Sequence, residues 1–159
     1  MSRLDSHIRR LTAQRDILNL IAPEIAARPG PIIELGLGNG RTYDHLRELF
    51  PDRRIIAFDR EVNCHFASLP PENQLVLGEI ANTTASLADG SAALVHADIG
   101  TGDPDRDAIT VTWLPALVAR LLRPDGIAAS GLPLDHPRLT PLPLPEGVKA
   151  DRYFLYRLG

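Results

Sequence analysis

Cysteine is nearly absent from this sequence, since the 159 residues contain only Cys64. One cysteine cannot form an intramolecular disulfide, and the clustered Cys and His spacings of a structural zinc site are missing. We therefore expect no bound metal and a reducing, cytoplasmic compartment. A chain of this length can bury roughly 70% of the surface that its unfolded form exposes, so a stable core needs no such cross-link.

Long apolar runs and blocks of positive charge are missing as well. No stretch approaches the about 18 apolar residues of a membrane span, and the first residues are charged where a signal peptide would be apolar. Lysine and arginine total 17 against 20 aspartates and glutamates, a net charge of −3. We expect neither secretion nor membrane insertion. We also expect no nucleic-acid partner, although the pairs at 9–10 and 53–54 form local basic patches.

Short apolar runs that end in turn residues recur along the chain and predict five buried strands. These strands are expected at 31–35, 54–58, 74–77, 92–97 and 127–130. Each run is too short for a helix, and most of them end at a glycine or an acidic residue, which is typical of parallel strands that enter tight turns.

Helical patterns separate the strands. Residues 3–28 predict two helices divided at Pro23, and shorter helices are expected at 41–50, 62–69 and 80–88. After a loop over 100–107, a long helix is predicted. Its apolar face is expected to comprise Ile109, Trp113, Leu117 and Leu121.

This alternation predicts a single α/β domain over 1–159, because parallel neighbours need helical crossovers that cover both faces of a sheet. The expected fold is a Rossmann-like three-layer sandwich with a mostly parallel sheet. Five prolines between 133 and 145 make 132–147 a loop. The aromatic and apolar run at 152–157 then predicts an added edge or near-edge strand, whose direction, parallel or antiparallel, stays open.

A cluster of alternate glycines follows the first strand, in the sequence Glu-Leu-Gly-Leu-Gly-Asn-Gly at 34–40. The second strand ends in Asp59. In an open α/β sheet ligands bind at the carboxyl ends of the strands. Glycines let a ligand approach the backbone there, and a carboxylate on the next strand can accept two hydrogen bonds from a ribose diol. The spacing differs from the G-x-G-x-x-G of nicotinamide-binding proteins, so a nicotinamide-dependent oxidoreductase is a weaker alternative.

The glycine run closely resembles motif I of the class I S-adenosylmethionine-dependent methyltransferases. Three further landmarks of that family occur in the same order: the ribose acid at Asp59, the third-strand end at 77–80 and the turn at 121–126. The resemblance implies that S-adenosylmethionine is the cofactor and that the protein transfers its methyl group. One departure is the absence of an Asn/Asp-Pro-Pro-aromatic motif at strand four, which disfavours the enzymes that methylate amino groups of nucleic acids.

The resemblance also implies a set of cofactor-binding residues. The glycine loop would pass under the methionine and ribose parts, Glu34 would hold the amino end, and the residues at 59–60 would hold the ribose. Glu79, where Asp is commoner, and Ile80 would flank the adenine, and Asp98 would face the methyl group. The implied set is Glu34, Gly36, Leu37, Gly38, Asn39, Gly40, Asp59, Arg60, Glu79, Ile80 and Asp98.

His96 and Asp98 are the candidates for contact with the acceptor, because residues two apart on a strand point to the same face. For His96 the alternative is a hydrogen-bonded histidine near the sheet. Methyl transfer is an in-line displacement that needs no fixed catalytic residue. We expect a small-molecule acceptor, or a pocket completed by another subunit. We also expect a homo-oligomer, and the N-terminal helices either close over the cofactor or pack against a second copy. A non-catalytic adenosylmethionine- or nucleotide-binding regulatory or assembly module is the main alternative.

Overall fold

The computed structural model describes all residues from 1 to 159. Seven strands and four α-helices alternate along the chain, joined by loops and by three single turns of 3-10 helix at 66–68, 72–74 and 84–86. Their bounds are α1 Arg3–Ala26, β1 Ile32–Leu35, α2 Arg41–Leu49, β2 Ile55–Asp59, β3 Leu75–Leu77, α3 Ile80–Thr83, β4 Ala92–Ala97, α4 Pro104–Leu121, β5 Leu122–Ser130, β6 Leu139–Pro141 and β7 Phe154–Leu158. Judged by length and hydropathy, none of the helices qualifies as a membrane span.

The strands form one mixed sheet in the order β3-β2-β1-β4-β5-β7-β6. The first five strands of that order run parallel to one another. β7 pairs antiparallel with β5, and β6 pairs antiparallel with β7. The predicted α/β class and the near-edge C-terminal strand are confirmed, and β7 proves antiparallel. The chain order reverses between β1 and β4, so the topological switch point lies at the carboxyl ends of these two strands.

Two apolar layers cover the two faces of the sheet. Alternate residues of β1 face opposite sides: Ile32 packs with α1 and α2, and Ile33 packs with α4. Ile17 and Ile21 on α1, together with Leu46 on α2, are almost fully buried against the first layer. Because each such side chain contributes roughly 1.5–3 kcal/mol, the two layers hold the helices rigidly against the sheet.

The first helix is continuous, so the predicted division at Pro23 is wrong. Ser2 and Asp5 form a capping box at its start. Pro23 lies in the last turn of α1, where the missing N–H removes only one helical hydrogen bond. Ile21 and Ile25 are buried on either side of the proline, and their packing holds the last turn in place.

Two predicted helices are much shorter than expected. The segment 62–69 contains only the 3-10 turn at Phe66–Ser68, because its apolar side chains find no core: Phe66 is 83% exposed. A helix this short is unstable without packing. The segment 80–88 forms α3 and then the 3-10 turn at 84–86, because the Arg120 guanidinium donates hydrogen bonds to the carbonyls of Thr84 and Leu87.

The fourth helix begins inside the predicted loop at 100–107. Asp103 caps the helix by accepting a hydrogen bond from the Asp105 amide at 3.0 Å, and Pro104 occupies its first turn. The predicted apolar face is partly wrong. The buried residues are Leu114, Pro115, Val118, Ala119 and Leu121, whereas Ile109 is 66% exposed.

The last part of the sheet also departs from the sequence reading. β5 begins at Leu122 and continues, with an irregularity, through most of the turn expected at 121–126. Within 132–147 the structure adds the short strand β6, which no periodicity signalled. β6 pairs only with β7, so it lies at the sheet edge, where a proline such as Pro141 costs no ladder hydrogen bond.

Candidate functional site

A cleft of about 660 Å³ opens at the carboxyl edge of the sheet, beside the switch point between β1 and β4. The loops after β1, β2, β3 and β4 line it, together with the first turns of α4. Among the residues implied by the resemblance, those that line the cleft are Gly36, Gly38, Asp59, Arg60, Glu79, Ile80 and Asp98. The remaining ones, described below, support the loop or lie in the interior.

The first two glycines of the loop have different surroundings. Gly36 has φ +89°, and a Cβ there would come within 2.5 Å of the Asp98 carbonyl oxygen, so only glycine fits between the ends of β1 and β4. A Cβ on Gly38 would meet no protein atom within 4 Å. The backbone of Gly38 therefore borders open space in the cleft, as a ligand cradle requires.

Three residues of the loop shape it without lining the cleft. Leu37 is buried in the core, and Gly40 precedes the first turn of α2. The carbonyl of Asn39 accepts a hydrogen bond of 3.3 Å from the His65 amide. This contact ties the glycine loop to the segment after β2.

Asp59 ends β2 and joins the second strand to the glycine loop. One carboxylate oxygen accepts a hydrogen bond of 3.0 Å from the Gly38 amide, and the other accepts one of 2.7 Å from the Arg60 amide. Each oxygen keeps a second lone pair, so the carboxylate can also accept hydrogen bonds from a ribose diol. Beside it, Arg60 forms an exposed ion pair of 3.1 Å with Glu79.

Asp98 follows β4 and forms an ion pair with α1. Its carboxylate accepts a hydrogen bond of 2.7 Å from Nη2 of Arg10, and its amide donates to the Leu35 carbonyl at 2.9 Å. The first helix therefore reaches the cleft wall through Arg10. Sequence reasoning missed this role, because the only signal was a basic pair in an amphipathic helix.

Glu34 and His96 lie side by side in the interior and line no part of the cleft. They are register partners on β1 and β4, and neither has any exposed surface. Nδ1 of His96 donates to Oε1 of Glu34 at 2.6 Å, and the Thr42 hydroxyl donates to the same oxygen at 3.3 Å. Of the two sequence hypotheses for His96, the structure forms the hydrogen-bonded histidine; the ring has no contact with the cleft.

The other side of the imidazole faces Tyr153, just before β7. Nε2 of His96 and the Tyr153 hydroxyl hydrogen-bond to each other, and the Gln14 side chain donates to that hydroxyl at 3.4 Å. Gln14 and Tyr153 are both buried. No spacing in the sequence signalled either residue, because they come from opposite ends of the chain.

Burial and mutual charge shift the pKa values within this cluster. Desolvation raises the pKa of Glu34, against the opposing effect of His96. Burial acts to lower the pKa of His96, but the charge and hydrogen bond of Glu34 and the charge of Asp98 outweigh it, so this pKa is raised. Burial, reinforced by Asp98, raises the pKa of Tyr153 well above its usual value, and its hydroxyl stays protonated near neutral pH.

The start of α4 supplies the opposite wall of the cleft. Ile109, Thr110 and Trp113 line it with Arg106. The sequence predicted Ile109 and Trp113 on the core face of the helix and placed Arg106 in a loop. The missed signal is an apolar pair on α4 that the core does not fully use. No group of three or more His, Cys, Asp or Glu side chains is arranged to hold a metal ion.

The geometry fits a nucleoside ligand that carries a positive charge. Asp59 offers free lone pairs, Gly38 borders open space, and Ile80, Ile109 and Trp113 supply apolar surface. One further feature fits an ammonium group, since Oε2 of Glu34 is buried without any hydrogen-bond partner. A buried carboxylate oxygen without a donor is costly, and a ligand donor would remove that cost.

Comparisons with known proteins identify the family of the chain. The sequence model of a family described as S-adenosyl-L-methionine methyltransferase matches residues 1–158. A crystal structure of an S-adenosyl-L-methionine methyltransferase from Silicibacter pomeroyi is 40% identical, with a TM-score of 0.93 over 100% of this chain and 99% of that one. No curated protein matches the chain.

More distant structures share the fold. The Burkholderia thailandensis 1,6-didemethyltoxoflavin-N1-methyltransferase is 18% identical, with a TM-score of 0.58 over 92% of this chain and 78% of that one. The Podospora anserina methyltransferase PaMTH1 is 17% identical, with a TM-score of 0.59 over 100% and 80%. The family model and the Silicibacter pomeroyi structure both cover nearly the whole chain, so the protein belongs to the S-adenosyl-L-methionine methyltransferase family.

Proposed function

We propose that the protein methylates a small-molecule acceptor that binds next to Asp98. The observation that carries this proposal is the size and position of the cleft: about 660 Å³, at the switch point, with Asp98 in its wall. Clefts of roughly 300–1,000 Å³ suit small ligands. Arg10 and Asp98 place one charge of each sign at this wall, which favours an acceptor with polar groups.

Different residues of the cleft are proposed to bind different parts of S-adenosylmethionine. Asp59 would hold the ribose hydroxyls, the backbone at Gly38 would border the ligand, and Glu79 and Ile80 would flank the adenine. When bound, the cofactor supplies a sulfonium methyl group that is open to in-line displacement by a nucleophile. The protein then has to align the acceptor and exclude water, which can provide most of the acceleration.

Asp98 is the residue proposed to contact the acceptor. Its carboxylate keeps free lone pairs beside the Arg10 contact, so it can accept a hydrogen bond from an acceptor hydroxyl or amine and orient the nucleophile. His96 is enclosed on both ring nitrogens. It therefore acts through other residues and not on the acceptor.

Parallel calorimetric titrations with S-adenosylmethionine, S-adenosylhomocysteine and NAD test the cofactor assignment. We expect dissociation constants on the order of micromolar for the first two ligands and no binding of NAD. Binding of NAD alone, or of no ligand, would contradict the assignment. A screen of small polar acceptors by release of S-adenosylhomocysteine then tests the acceptor class. Methylation of a macromolecule with no turnover of small acceptors would overturn that part.

Two expectations about the protein in the cell stay predictions. The homo-oligomer is supported by exposed apolar residues on α1, namely Leu4, Ile8 and Leu20. Light scattering coupled to size exclusion measures the mass directly, and a mass of one chain at micromolar concentration would contradict the prediction. The cytoplasmic location rests on the single cysteine.

A further inference from the structure

A chain of buried hydrogen bonds crosses the interior beneath the glycine loop, and the proposed contacts with the acceptor do not use it. The chain runs from Gln14 on α1 through Tyr153 and His96 to Glu34 on β1. All four side chains are almost fully buried. Polar groups are costly to bury unless they are hydrogen-bonded, and replacing a buried polar network by well-packed apolar side chains is often neutral for stability.

The chain ends at a carboxylate whose two oxygens differ. Oε1 of Glu34 has two donors, His96 and Thr42, and Oε2 has none. Glu34 stands two residues before Gly36, whose backbone lines the cleft. Glu34 thus directly precedes the glycine loop but is not part of the cleft lining, and its Oε2 has capacity for one donor that the protein does not supply.

The chain also explains how Glu34 keeps one orientation. A glutamate side chain has several rotatable bonds, and each is ordered at an entropic cost. His96 fixes Oε1, Tyr153 fixes the imidazole ring, and Gln14 fixes the Tyr153 hydroxyl. The direction of the free oxygen is thus set by residues from β4, from the start of β7 and from α1.

We propose that His96 and Tyr153 are positioning residues for the cofactor. They hold Glu34 so that its free oxygen accepts the ammonium group of the amino-acid part of S-adenosylmethionine. This inference rests on the proposed binding of that cofactor in the cleft. It replaces the contact with the acceptor expected for His96. It also predicts that changes in the buried chain weaken binding of the amino-acid part of the ligand and leave binding of the adenosine part unchanged.

Two ligands separate these parts. S-adenosylhomocysteine carries the ammonium group, and methylthioadenosine has the same adenosine and sulfur but lacks the amino acid. We expect Tyr153→Phe to weaken S-adenosylhomocysteine binding by about tenfold, as for the loss of a buried hydrogen bond. Binding of methylthioadenosine should change by less than about twofold. His96→Gln should show the same split with a larger loss, and both are measured by titration calorimetry.

Tyr156→Phe is the matched control. Its hydroxyl is also buried near β7 and accepts a hydrogen bond from the Leu134 amide at 3.0 Å, but it lies in the other apolar layer. The same atom is removed in both variants, so the stability cost is comparable. We expect Tyr156→Phe to leave the affinities for both ligands unchanged.

The outcomes distinguish the inference from the proposal beneath it. A wild-type protein that binds neither ligand would overturn the proposed cofactor site and this role with it. Equal losses for the two ligands, or the same loss in Tyr156→Phe, would overturn only the positioning role. If His96→Gln does not fold, Tyr153→Phe decides, because it removes one oxygen atom and keeps the ring.

Discussion

The rim of the cleft and the buried chain beneath it use carboxylates in opposite ways. At the rim, Asp59 accepts hydrogen bonds from the backbone of neighbouring loops and remains partly open to solvent. In the interior, Glu34 accepts hydrogen bonds from side chains of two other elements, β4 and α2, and has no solvent contact. Substitution of the rim carboxylate is therefore expected to change ligand affinity alone, whereas substitution of the interior carboxylate is expected to change both affinity and stability.

The same contrast separates the first two glycines of the loop, and it predicts the largest effect. In Gly36→Ala the new Cβ collides with the Asp98 carbonyl at φ +89°. We expect the free energy of unfolding to fall by about 2–4 kcal/mol. In Gly38→Ala the Cβ meets no protein atom, so stability should fall by only about 1 kcal/mol, while cofactor affinity drops because the methyl group occupies the cleft.

Urea denaturation and calorimetric titration of both glycine variants measure the two effects. Equal destabilisation of the two proteins would show that Gly36 is not packed as closely as the structure indicates. Unchanged affinity in Gly38→Ala would mean that the ligand does not lie along this part of the loop.

Asp59→Ala tests the rim directly. The ribose hydroxyls lose their acceptor, so we expect binding of S-adenosylhomocysteine to weaken by about 1–3 kcal/mol. The free energy of unfolding should change by less than about 1 kcal/mol, since the freed amides of Gly38 and Arg60 can bind water. Asp59→Asn keeps one acceptor oxygen, so its affinity for S-adenosylhomocysteine should lie between those of the wild type and Asp59→Ala. An unaltered affinity in Asp59→Ala would place the ribose elsewhere.

A surface ion pair far from both regions gives the smallest effect. The Arg157 hydrogen bond, with Arg28, holds the pKa of Glu24 below its usual value. The folded state then binds fewer protons than the unfolded state near the carboxyl pKa. This stability is present above the unfolded pKa and is lost as the pH falls through the folded one. We expect Glu24→Gln to lose less stability on acidification.

The Glu24 effect should be well under 1 kcal/mol, because the carboxylate is more than a third exposed and water screens the pair. Urea denaturation at about pH 6 and about pH 3 measures it. Parallel losses of stability in the wild type and in Glu24→Gln would show that this pair contributes nothing.

The sequence predicted the rim of the site and missed most of its support. The glycine loop, Asp59 and Glu79 follow strand ends, and the carboxyl ends of parallel strands meet at one edge, so their grouping follows from the chain order. Arg10, Gln14 and Tyr153 lie near the two ends of the chain. Contacts over such separations leave no periodic signal, so neither the ion pair to Asp98 nor the buried chain was predicted.

By itself, the sequence determined the alternation of strands and helices, the parallel direction of the first five strands and the edge of the sheet at which the proposed cofactor site lies. Local apolar periodicity and the handedness of crossovers are sufficient for these features. Only the tertiary structure decided that α1 is unbroken, that α4 faces the cleft, that β7 runs antiparallel and that His96 is enclosed. These features depend on packing between distant segments, which decides whether each side chain is buried, exposed or paired.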